Sequence, residues 1–235
     1  MFFCDATRCQ CKKRDTTSPW TPLNRIRLSI DTTPLTNETP DSVRAFWFGS
    51  SADDAAVAQQ YGKLWWAKND EVDVEMRVRF DVPVKAAMRR ELDDWVKTPT
   101  GLLALVLLSD QFPRNIYRAT PASFQADDVA RSFCLQGLEQ GFDRQLRPIE
   151  RVFLYMPLEH SESHAHQSRA VDLFTQLFQA VPADQIELFR GFLTFALRHR
   201  RVIERFGRFP HRNAILGRPS TPEEIAFLQE PGSSF

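Results

Sequence analysis

The sequence predicts an all-α fold of antiparallel helical hairpins, about eight to ten helices in all, and three observations carry that reading. Apolar residues recur at spacings of three and four along most of the chain, as in Leu188, Phe192, Phe195, His199, Val202 and Phe206. No stretch alternates with a period of two over a useful length, and Asn-Gly or Gly-Asn hairpin turns do not occur. Thr-Pro, Asp and Ser stand ahead of the apolar runs, where helices are capped, and Gly or Pro follows them.

Taken in order, a first helix opens at Pro40-Asp41, with Asp41 as its cap and Val43, Phe46 and Trp47 on its inner face, and Gly49 closes it. Residues 55–66 repeat the pattern through Val57, Tyr61, Leu64 and Trp65, and residues 72–80 and 84–95 continue it. Thr98-Pro99 supplies a cap and a first-turn proline ahead of GLLALVLLSDQ, which is apolar on every side and so must be surrounded by other helices. Pro113 is expected to force residues 110–115 out of helical geometry, and Thr120-Pro121 repeats the cap signal. Residues 127–140 place Phe133 and Cys134 inward and stop at Gly141. Residues 148–155 lead to a helix that starts at Met156–Glu162, carries Phe174 and Leu177, and ends at Pro182. A further helix runs from Ala183, and Thr221-Pro222-Glu223-Glu224 is a capping box that opens the last one.

The 235 residues fit one large domain, and 43% hydrophobic content with 19 Phe supplies its core. Residues 39–235 are read as that domain and residues 1–38, rich in Thr, Pro, Ser and charge, as a disordered extension. Cys4, Cys9 and Cys11 crowd into this extension without a second cluster, which points to a reduced tail rather than a metal site or a disulfide framework. Basic and acidic residues balance at 30 each, which argues against nucleic acid and anionic membranes as partners. No apolar run approaches the ~20 residues of a membrane span, and the first residues do not read as a secretory signal, so a cytoplasmic location is expected.

Polar residues gather where the apolar runs end. The stretch Arg205–Asn213 holds three arginines, a histidine and an amide among phenylalanines, and Phe112-Pro113-Arg114-Asn115 nearly repeats Phe209-Pro210-His211-Arg212-Asn213. These stretches, with FWFG at 46–49, GFD at 141–143, ERVFLYMPLEHSE at 150–162 and GRPSTPEE at 217–224, closely resemble the bacterial family known as domain of unknown function 924, in matching order from about residue 41 onward. The resemblance implies an all-helical, tetratricopeptide-like fold and no established activity. The extension lies outside the family pattern, and Ala119 stands where the family more often has Gly.

The basic residues of these motifs are all arginine, whose planar fork suits carboxylate or phosphate. Arg114, Asn115, Arg208, Arg212 and Asn213 are therefore candidates for binding an anionic small molecule or peptide; internal pairing with Glu150, Glu159, Glu162 and Glu204 is the competing explanation. Glu159, His160 and His211 are the candidate catalytic groups, because an imidazole beside a carboxylate can move protons near neutral pH; helix capping would explain Glu159 and Glu162 equally well. His160 and His164 are four apart, as in HExxH zinc sites, but HSESH lacks that pattern, and no metal or cofactor is expected. His199 lies on an apolar stripe, where a hydrogen-bonded core histidine is the simpler reading. The prediction is that His160 and the two Phe-Pro segments surround one cavity.

Overall fold

The computed structural model describes residues 37–233; residues 1–36 of the extension, with its three cysteines, fall outside them. The described residues belong to one compact unit and form ten α-helical segments. They are α1 (Pro40–Phe48), α2 (Asp54–Trp66), α3 (Asp70–Met88), α4 (Pro99–Val106), α5 (Phe112–Ile116), α6 (Asp127–Glu139), α7 (Pro148–Glu159), α8 (His164–Ala180), α9 (Ile186–Phe206) and α10 (Pro222–Phe227). No strand occurs among the described residues.

The apolar sequence of α4 buries it beyond its first two residues: Gly101 through Val106 are all buried, with α1 and α6 packed closely and α7 beside them. Trp47, Phe48, Phe80, Phe112, Phe133 and Phe153 complete the surrounding core. The helices α7, α8 and α9 follow as hairpins with short connections, and α8 against α9 is the most extensive helix contact.

Several boundaries differ from expectation for identifiable reasons. Thr39, not Asp41, caps α1: its hydroxyl accepts from the Ser42 amide while Ser42 reciprocates, and Pro40 takes the first helical position. Residues 70–88 form one helix with Pro83 inside it, and a 3-10 turn covers Asp93–Lys97. Pro113 does not break the chain out of helical geometry. The helix loosens into one π turn, Leu107–Gln111, and resumes as α5 with Pro113 in its first turn, where the missing N–H costs least. Pro157 also lies within a helix, so α7 runs on to Glu159. The predicted signals hold at Thr98 over α4, where the hydroxyl accepts from the Gly101 amide, and at Thr221 with Glu224 over α10.

Candidate functional site

The π turn matters for the site because one extra residue per turn sends three consecutive polar side chains inward: Ser109, Asp110 and Gln111 are all buried. Asp110 Oδ1 lies 2.8 Å from His160 Nδ1 and 3.2 Å from Arg114 Nη1, and Gln111 donates to Oδ2. Burial opposes ionisation of Asp110, but Arg114, His160 and Gln111 outweigh it and hold the carboxyl well below its ordinary range. His160 moves downward too, through burial first and the nearby Arg114 guanidinium second, against the pull of Asp110. A carboxylate therefore faces a neutral imidazole at neutral pH. Nδ1 carries the proton toward Asp110, leaving Nε2 as the basic nitrogen.

His160 is held from the other side by its place in the chain. It is the C-cap of α7, its amide donating to Met156 O at 2.8 Å, and not the start of a helix as the sequence suggested. Capping by the helix dipole thus fails as an explanation of Glu159, which ends α7. His164 opens α8 instead, so the two histidines do not share a helix face and the zinc-type spacing has no structural counterpart. Buried Gln167 fixes the connection by donating to the carbonyls of Glu159 and Ser161.

The two Phe-Pro segments meet across Asp127, at the start of α6. Its Oδ1 lies 3.0 Å from Arg114 Nη2 and its Oδ2 3.2 Å from Arg212 Nη1. The Arg212 guanidinium is sandwiched between the rings of Phe124, 4.8 Å away, and Phe209, 4.5 Å away. Only 6% of Arg212 is exposed, and its Nε has no hydrogen-bond partner among the described residues. Burial and then Arg114 bring its pKa down to about 10, which leaves it charged at neutral pH. A cleft of about 480 Å³ opens here, with His160, Ser161, Asp127, Arg131, His166 and Arg212 in its walls.

The remaining candidates serve elsewhere. Asn115 turns away and donates to Asp73, which also takes a two-pronged contact from Arg118, beside a separate cleft of about 270 Å³. Arg208 grips Glu224 through Nε and Nη2 at 2.7 and 2.8 Å, and Asn213 donates to Glu224 and Ser220. These last links tie the segment to α10, and none of Arg208, Asn115 and Asn213 lines the cleft at His160. Glu159 lies 2.9 Å from His199 Nδ1, behind His160, whose ring is 6.1 Å from that of His199. His211 packs against Phe209 outside the cleft lining; burial, Arg212, His199 and His160 push its pKa down to about 3.

Sequence reasoning missed Asp110 and Asp127, the two carboxylates on which the arrangement turns. Asp110 left a faint signal: it stands four residues before Arg114, a spacing that pairs side chains on a helix, but the stretch was expected to leave helical geometry. Asp127 pairs with Arg212, 85 residues away, and carried no local signal.

Comparison with known proteins agrees with this architecture. The solved structure of a protein of unknown function from Agrobacterium tumefaciens is 39% identical, aligns over 75% of this chain and 99% of its own, and superposes with a TM-score of 0.64. No curated protein matches the chain. Residues 43–232 match the model of the family described as "Bacterial protein of unknown function (DUF924)", and the chain belongs to that family.

Proposed function

We propose that the cleft binds a small anionic molecule, with Arg212 holding the anionic group and neutral His160 taking a proton from the bound compound. The observation that carries this reading is His160, backed by buried Asp110, on the wall of a cleft that also presents Arg212. A buried carboxylate that fixes an imidazole in one tautomer prepares it for general-base work. Arg131 can assist, because its partner Asp128 is largely exposed and such a pair contributes little. Asp127, Asp128 and Glu162 share the same walls, so the reading favours an anion of low charge, a carboxylate or phosphate monoester, over a polyanion.

A thermal-shift screen of carboxylates, phosphate monoesters and polyphosphates tests it. A ligand at a hundred times its dissociation constant adds ~2.7 kcal/mol of stability. Arg212→Lys is expected to reduce that shift, because a point charge cannot reproduce the planar fork. His160→Gln is expected to keep the binding and abolish any turnover of the bound compound. A screen in which no anion stabilises the wild type, or in which Arg212→Lys changes nothing, overturns the reading.

The openness of the cleft to solvent supports a second reading, a tetratricopeptide-like scaffold that takes a peptide there. A stabilising peptide whose effect survives Arg212→Lys would favour it.

A further inference from the structure

The strongest unassigned feature lies on α3, away from the candidate site. Among the described residues seven large hydrophobic side chains are exposed, and three of them stand on one face of this helix: Val74 is 60% exposed, Val78 84% and Val82 57%. Single exposed apolar residues are ordinary, but a row at helical spacing is a contact surface without its partner. Exposed Glu71 and Lys85 extend the row at its two ends.

The order along the face is Glu71, Val74, Val78, Val82, Lys85, separated by three, four, four and three residues. That spacing is symmetric about Val78, while the charge reverses sign across it. A two-fold axis beside Val78, perpendicular to α3, would lay Val78 near its own copy, Val74 near Val82 of the second chain, and Glu71 near Lys85 of the second chain, twice over. Glu75 and Asp81, on the two flanks of the face, stay on opposite sides of such a contact. A parallel pairing would instead set Glu71 against Glu71 and Lys85 against Lys85. Lys85 already contacts Asp81 at 2.7 Å in its own helix, but both groups are partly exposed, and an ammonium with three donors can serve two carboxylates.

We propose that α3 is a homodimerisation surface on which two copies of this chain pack antiparallel about Val78, with two symmetric Glu71–Lys85 ion pairs fixing the direction. Self-complementarity of one patch is what an isologous two-fold interface requires. One helix face of about four turns is smaller than the ~800 Å² per partner of a standard interface, so the dimer is reversible.

Sedimentation velocity of the full chain from ~1 to ~100 µM is the direct experiment. The wild type is expected to pass from monomer to dimer over that range. Val78→Glu is expected to stay monomeric with an unchanged circular dichroism spectrum, since the position is exposed. Lys85→Glu should weaken association about tenfold or more by opposing like charges, and Glu71→Lys combined with Lys85→Glu should restore it. A wild type that is monomeric throughout, or a dimer that survives Val78→Glu, overturns the proposal. So does a charge swap that fails to restore a dimer broken by Lys85→Glu, because the antiparallel register demands that rescue.

Discussion

Phe112-Pro113-Arg114-Asn115 continues a buried helix, whereas Phe209-Pro210-His211-Arg212-Asn213 follows the end of one, after Gly207 in the left-handed conformation and through a 3-10 turn. In both, the arginine turns to Asp127 and the asparagine turns to a different carboxylate, Asp73 in the first and Glu224 in the second. Their supports differ. The first rests on apolar packing, with Phe112 and Ile116 fully buried and Asp110 enclosed. The second hangs on polar ties: Glu162 accepts from the Phe209 amide and from both terminal nitrogens of Arg218, and Glu224 accepts from Arg208, Asn213 and the Thr221 amide. Similar sequence thus holds one of the two arginines on Asp127 by packing and the other by polar ties, and the two segments should respond differently to mutation, acid and salt.

Asp110→Ala should have the largest effect. It removes one of the two carboxylates that pair with Arg114, and with it the partner of His160 Nδ1 inside the core, a loss of ~3–5 kcal/mol, read as a fall in the urea midpoint. A loss as small as that of an exposed pair would erase the distinction between the two segments. Glu162→Ala should cost less, ~1.5–3 kcal/mol for charge-assisted hydrogen bonds, and should expose the amides of 209–218 to hydrogen exchange while those of 112–116 stay protected. Equal loss of protection in both segments would show that they open as one unit.

Acid should act on the second segment through Glu224. The Arg208 hydrogen bonds, then the Thr221 amide and Asn213, bring its pKa down to about 2 against opposing burial. Because the folded value is depressed, its contribution is complete above the ordinary carboxylate pKa of ~4.3 and is lost as pH falls through about 2. Glu224→Gln should flatten the melting profile in that window; an unchanged profile would remove Glu224 as an acid-sensitive tie. The smallest effect is salt: at 1 M, where the screening length is ~3 Å, protection should drop slightly in residues 208–218 and not in 110–116.

How much of this was legible follows the range of each interaction. The all-apolar run of α4, its Thr98 cap and the Thr221 capping box are local, and the sequence shows them directly. The resumed helix after Pro113 was hidden because a proline is compatible with a break or with a π turn, and only packing of Phe112 and Ile116 decides. Pro157 misled in the same way, placing His160 at a helix start rather than at the C-cap of α7. Arg114, Arg212 and His160 stood out as residue types. Their carboxylates did not, because Asp110 lies 50 residues from His160 and Asp127 85 from Arg212, and an aspartate has no local mark of a distant partner.

Asp110 is expected to hold His160 neutral, with its proton on Nδ1 and Nε2 as its basic nitrogen. Nitrogen-detected magnetic resonance of the His160 ring, followed through a pH titration, tests this most directly. The expected result is an Nδ1–H tautomer that protonates below the ordinary histidine value of ~6.5, with Asp110→Asn disturbing the tautomer. An Nε2–H tautomer, or an imidazolium that persists above ~6.5, would mean that Asp110 does not set the state of His160.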